Sequence, residues 1–285
     1  MAHEILIDAA ELAGTAVGEV LPGGGHLRIL DVRWRLDRPD GRPDYLAGHI
    51  PGAVYVDLDV QLARHGEPED GRHPLPPVDQ LQRDAREWGI DAGDTVVVYD
   101  DLKNLSAARA WWLLRYAGVD DVRMLDGALS AWTGAGLPLE TGEAPVPAPG
   151  SVTLRYGALR ALTIDEAAAF PEDGVLLDAR AGERFRGEVE PIDPRAGHIP
   201  GARSAPTTEN VDADGRFLSP ERLRARFAAL GVTAGTPVAS YCGSGVTAAH
   251  EAAALALAGF DAALFPGSWS QWANHPERPV AVGGD

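Results

Sequence analysis

A single cysteine, Cys242, stands in a chain of 285 residues. It has no partner for an intramolecular disulfide, and it excludes a cysteine-cluster metal centre. That fits a reducing compartment, where a reactive thiol survives as a thiol. Long apolar runs are missing as well: none approaches the ~20 residues that a membrane-spanning helix needs. The opening MAHEILIDAAELAG has no basic stretch followed by an apolar core, so no secretory signal is expected and a cytoplasmic, soluble protein is. Positive charge is scarce. The net charge of −17 argues against nucleic acid, whose phosphates need clustered cations, and disfavours anionic substrates at long range. Any anion used here must be met by local donors, which makes the position of individual arginines informative.

What is present is a repeat. GHIPGA occurs at 48–53 and again at 197–202, each time after a short apolar strand ending in aspartate, RILDVR (28–33) and VLLDAR (175–180). Each copy is followed by a strand–turn–helix pattern, TVVVYDDLKNLSAARAWW (95–112) and TPVASYCGSGVTAAHEAA (236–253), which align without gaps and pair Asp101 with Cys242. Both halves then close with Gly-x-x-x-x-Trp, Gly127 to Trp132 and Gly267 to Trp272. A repeat of this length is a duplicated domain. The stretch 139–159 opens with LETGEAPVPAPG, has no periodicity and reads as a linker between domains at 1–138 and 160–285. Short β-branched runs alternate with helical patterns, opened by Thr163-Ile164-Asp165-Glu166 as a capping box and by Ser219-Pro220-Glu221. The class is α/β, with parallel sheets covered by helices.

Residues 237–241 read as a buried strand, and TAAHEAAALALAG from Thr247 as a helix stopping at Gly259. Cys242 is thereby expected at the carboxyl end of a parallel strand, where open α/β sheets bind ligands. Gly243-Ser244-Gly245 can curl so that backbone N–H groups converge at a helix N-terminus, a place that stabilises negative charge. A thiol there is favoured as the thiolate, and the same amides suit a persulfide through a covalent intermediate. A merely structural buried cysteine needs neither flanking glycines nor a helix start. The first half has neither thiol nor glycines and reads as an inert copy.

Two thiolate chemistries use such a loop. Phosphatases place an arginine six residues after the cysteine; here that residue is Ala248, and no Arg or Lys occurs between 227 and 277. The paired GHIPGA motifs, the cysteine confined to the second half and the loop CGSGVTA closely resemble the two-domain rhodanese-type sulfurtransferases, in particular those using 3-mercaptopyruvate. The resemblance implies two tandem rhodanese-like domains. It also implies sulfur transfer through a Cys242 persulfide, from 3-mercaptopyruvate to cyanide or a thiol acceptor such as thioredoxin, with pyruvate released and no metal or organic cofactor. Thiosulfate-preferring members carry cations directly after the cysteine, where this chain has Gly243 and Ser244. Thiosulfate as donor and a non-catalytic persulfide carrier fed by a partner protein stay open beside this reading.

The same resemblance implies the supporting residues. Substrate recognition falls to Arg184 in Gly182-Glu183-Arg184-Phe185, to Arg195 before the second GHIPGA, and to the cradle of Gly243, Gly245, Val246 and Thr247; an arginine fork suits a carboxylate. Ser244 is expected to pass a proton to the leaving enolate, with His73 from GRHPLP (71–76) and Asp59 from VDLD (56–59) supplied by the first domain. The active site then lies between the domains. His49 and His198 of the GHIPGA motifs occur in both halves and are expected to be structural. Trp111, Trp112, Trp132, Trp269 and Trp272 are expected to pack the core. Gly23-Gly24-Gly25 lacks the Lys-Ser/Thr of a phosphate loop and reads as a plain turn.

Overall fold

Short apolar strands joined through helices favour parallel pairing, and they pair so in both halves. The computed structural model describes residues 4–15, 19–20 and 24–284; Met1–His3 and Gly23 of the glycine turn lie outside them. The chain divides into one unit of residues 1–64, 76–159 and 213–216 and a second of 65–75, 160–212 and 217–285. The division is not colinear: 65–75 groups with the second unit, and the stretch 139–159 with the first. That stretch is not a free tether. Gly150 and Val152 donate backbone bonds of 2.7 and 3.1 Å to the carbonyls of Arg86 and Ile90, and Val152 and Leu154 are buried.

The first unit holds β1 (Leu6–Ile7), β2 (Leu27–Asp31), β3 (Val54–Tyr55), β4 (Thr95–Tyr99) and β5 (Asp121–Leu125), in the order β1-β5-β4-β2-β3 and all parallel. The second holds β6 (Val175–Asp178), β7 (Arg203–Ser204), β8 (Val238–Tyr241) and β9 (Ala262–Leu264), in the order β7-β6-β8-β9 and again all parallel. Ala161 forms a single parallel bridge to Leu264, so it stands for β1 in this unit. Among the described residues no helix is long and apolar enough to cross a membrane.

Local sequence sets the element ends. Thr163 and Glu166 close the expected capping box, and Ser219 caps the helix Pro220–Ala229, with Gly231 following at φ +85°. The helix Thr247–Leu257 is followed by Gly259 at φ +86°, a left-handed conformation that glycine adopts without strain. The five tryptophans named above are buried; Trp132 packs in the first core with Ile29, Ile50 and Tyr99, Trp269 and Trp272 in the second with Leu176, Phe185 and Tyr241.

The duplication is visible atom by atom. Arg33 forks onto Asp31 and reaches the Gly48 carbonyl at 2.6 Å; Arg180 forks onto Asp178 and reaches the Gly197 carbonyl at 2.6 Å. The His49 ring stacks on Tyr45 with Nδ1 2.9 Å from its carbonyl, and His198 stacks on Phe185 with Nδ1 2.7 Å from its carbonyl. Both GHIPGA histidines therefore hold the turn against a neighbouring aromatic residue. In the ladders Asp31 faces Tyr99 and Asp178 faces Tyr241, and each tyrosine hydroxyl accepts the amide of the GHIPGA isoleucine. Tyr99 is thus the counterpart of Tyr241, and Asp100, not Asp101, stands in the place of Cys242. The gapless alignment is out of register by one residue at the strand because the first unit spends more residues between strand and helix, 100–106 against 242–246.

Candidate active site

The fully buried strand β8 delivers Cys242 at its carboxyl end, and the next four residues turn into the helix Thr247–Leu257. Three hydrogen bonds from the loop backbone fix it to the helix Ser268–Ala273. The Cys242 amide donates to Ser268 Oγ (3.1 Å), its carbonyl accepts from Trp269 (2.9 Å), and the Gly243 carbonyl accepts from Ser270 (2.8 Å). From the strand side, Ser240 Oγ donates to the Ala248 carbonyl at 3.0 Å. Gly245, at φ +80°, turns its N–H onto Cys242 Sγ at 3.1 Å. Val246 is the N-cap position and carries no side-chain cap, so the first-turn amides, including that of Thr247, are not taken up by one. Sulfur therefore accepts one loop N–H beside the N-terminus of a helix.

Ser244 follows, nearly buried, with Oγ 2.7 Å from Nδ1 of His73, itself buried. His73 reaches it because 65–75 packs within the same unit. Gly71 (φ +87°) lies so close to the Gly267 carbonyl that a Cβ would meet it at 2.9 Å, and the Arg72 amide donates to Ser270 Oγ at 3.0 Å. The expected serine–histidine pair is present. Asp59 belongs to the other unit, at the second position of the one-turn helix Leu58–Gln61, its amide bonded to Asp57 Oδ1.

Of the two expected arginines, the structure brings one to the cysteine loop. Arg184 rises from the short helix Gly182–Phe185, and its Nη1 lies 3.5 Å from where a Cβ on Gly243 would be. Its Nε and Nη2 are held by the nearly buried Glu190 at 3.3 and 2.7 Å, and Nη2 also meets Asp193 at 3.3 Å. Arg195 is spent elsewhere: it donates to the carbonyls of Trp272, Ala273, His275 and Arg278 at 2.7–3.0 Å. These carbonyls lie at the end of the helix Ser268–Ala273 and in the turn beyond it, so Arg195 serves there as a C-terminal cap. Sequence reasoning missed Arg72. Its Nη2 is 3.0 Å from the same Gly243 point, and its Nη1 pairs with Asp193. The one signal was its place beside His73. Burial pushes the Asp193 carboxyl above its ordinary value, the neighbouring Glu190 adds to this, and Arg72 and Arg184 oppose it.

A thiol in a glycine turn, a hydroxyl bonded to an imidazole and two guanidinium groups beside Gly243 suit nucleophilic attack on an anionic substrate. The model of the rhodanese-like domain matches residues 18–135 and 163–275. The chain belongs to the rhodanese family. It is 49% identical over 283 residues to a putative thiosulfate sulfurtransferase, SseB, of Mycobacterium tuberculosis, covering 98% of each chain. To a probable 3-mercaptopyruvate sulfurtransferase of Pseudomonas aeruginosa it is 49% identical over 270 residues, 90% of this chain and 93% of the other. The crystal structure of SseA, a 3-mercaptopyruvate sulfotransferase from Escherichia coli, superposes with a TM-score of 0.80 at 34% identity, covering 93% of this chain and 99% of that one. This rhodanese is a two-domain sulfurtransferase. Its first domain fills the nest with a side chain of its own: the Asp100 carboxylate accepts the amides of Leu102, Asn104, Ser106 and Ala107 at 2.8–3.0 Å. The Asp100 carbonyl accepts from Leu129 at 2.9 Å, as that of Cys242 does from Trp269.

Proposed function

We propose that this sulfurtransferase takes sulfur from 3-mercaptopyruvate, through a Cys242 persulfide, and passes it to a small or protein thiol of the thioredoxin kind or to cyanide. The observation that carries the reading is Ser244 Oγ, 2.7 Å from His73 Nδ1 and two residues after the cysteine. The Cys242 thiolate attacks the substrate sulfur; an S–S bond forms and the sulfur–carbon bond breaks. The electron pair leaves as the enolate of pyruvate, which needs a proton at once. Ser244 supplies it and His73 replenishes it. Thiosulfate releases sulfite, which needs no such proton, so a buried hydroxyl–imidazole pair has no task with that donor. An acceptor thiolate then attacks the outer sulfur and regenerates the Cys242 thiolate.

The names of the Pseudomonas aeruginosa relative and of the Escherichia coli enzyme support this donor; the name of the Mycobacterium tuberculosis relative favours thiosulfate as the second reading. For Asp59 the proposal of orienting His73 rests on the family resemblance alone. The test is steady-state pyruvate and sulfide release from 3-mercaptopyruvate with dithiothreitol, beside a thiosulfate–cyanide assay, for wild type and Cys242→Ser. Pyruvate release that vanishes in the variant is expected. Faster turnover of thiosulfate would replace the donor, and no turnover with either would leave a partner-fed persulfide carrier.

A further inference from the structure

We infer that Arg72, paired with Arg184, forms the carboxylate clamp of this enzyme, and that Arg195 takes no part in it. Both guanidinium groups face one backbone point, Gly243, the residue next to the nucleophile: Arg72 Nη2 at 3.0 Å and Arg184 Nη1 at 3.5 Å from a Cβ placed there. Neither of these two nitrogens has a hydrogen-bond partner among the described residues; the bonds of Arg184 run through Nε and Nη2, that of Arg72 through Nη1. Arg72 Nε is buried and also without a partner. Asp193 touches both arginines, one carboxylate oxygen to each, and Glu190 holds the rear of Arg184. The acidic residues thus occupy the backs of the guanidinium groups and leave one N–H edge of each turned toward the glycine. A planar carboxylate with two oxygens matches two such edges. The lack of a side chain at 243 lets both guanidinium groups come this close to the loop. Two arginines are also what a chain of net charge −17 needs to draw a small anion to one spot.

This assignment rests on the reading that the donor carries a carboxylate beside the transferred sulfur, and its test is made without a donor. Because Cys242 is the only thiol, its alkylation reports on one site. The ratio of the alkylation rates with iodoacetate, which carries a carboxylate, and with neutral iodoacetamide cancels the reactivity of the thiol and leaves the clamp. In Arg72→Gln and in Arg184→Gln the ratio is expected to fall about tenfold or more, the effect of losing a hydrogen bond to a charged group. In Arg195→Gln, the same change of charge, the ratio is expected to stay near wild type while thermal stability drops. An unchanged ratio in Arg72→Gln, or an equal fall in Arg195→Gln, overturns the assignment. Should Arg72→Gln not fold, Arg72→Lys carries the test: a ratio lowered several-fold supports the fork and an unchanged one overturns it. Failure of the donor reading appears separately, as wild type that releases no pyruvate.

Discussion

Asp44 occupies, in the first domain, the place that Arg184 occupies in the second. Each precedes the aromatic residue, Tyr45 or Phe185, that stacks on the GHIPGA histidine and accepts from its ring. The nucleophile position differs in the same way, with Asp100 where Cys242 stands. The first domain has therefore kept the fold and reversed the charge of its site: carboxylates stand where the second domain has a sulfur and a cation.

Restoring the thiol alone is then insufficient. In Asp100→Cys a sulfur enters the first-domain nest, yet Asp44, paired with Arg38, repels an incoming carboxylate. Intact-protein mass spectrometry after treatment with 3-mercaptopyruvate is expected to show one added sulfur in this variant, as in wild type. Asp100→Ala tests the other half of the argument. It leaves four loop amides without their acceptor and is expected to cost about 2–4 kcal/mol of stability, seen as a lower thermal midpoint with kcat little altered. A variant as stable as wild type would show that the nest does not depend on its anion.

The serine separates the two donors. Ser244→Ala removes the proton source while leaving the Cys242 loop pinned at Ser268, Trp269 and Ser270. Turnover of 3-mercaptopyruvate is expected to fall about a hundredfold or more, the usual range for a lost general acid, while thiosulfate–cyanide turnover changes little. Parallel losses with both donors would mean that Ser244 positions the loop and does not move a proton.

Much of this was legible in the sequence because it is local. A glycine-flanked cysteine between a β-branched run and a run of helix formers predicts strand, turn and helix, and the structure places them so. The repeated GHIPGA motif exposed the duplication and the structural role of His49 and His198. The failures lie at long range. Asp101 was paired with Cys242 because a gapless alignment cannot show a longer turn between strand and helix; only the ladder register, Asp31 against Tyr99 and Asp178 against Tyr241, reveals it. Arg195 and Arg72 read alike as sequence. Which one meets backbone carbonyls and which one the nucleophile loop depends on how 65–75 packs against Ser270, a contact between residues 198 positions apart.

Beneath the loop, the catalytic helix carries a carboxyl group with no exposure to solvent. Glu251 accepts from Asn210 Nδ2 at 2.6 Å and from Arg226 Nη1 at 3.3 Å. Burial pushes its carboxyl above the ordinary value of 4.5, and Arg226, Asn210 and Thr207 only partly offset this. A carboxyl raised in the folded state binds its proton more tightly there than in the unfolded chain. Its contribution to stability is therefore complete below the unfolded value and is lost as pH rises through the folded one. Glu251→Gln keeps an acceptor for Arg226 and removes the titration. The thermal midpoint of the variant relative to wild type is expected to climb as pH rises above the ordinary carboxylate value, where the wild-type group gives up its proton in the folded state. A difference that does not change with pH would mean that Arg226 and Asn210 compensate the buried charge in full, and that the helix behind Cys242 rests on a fully ionised network.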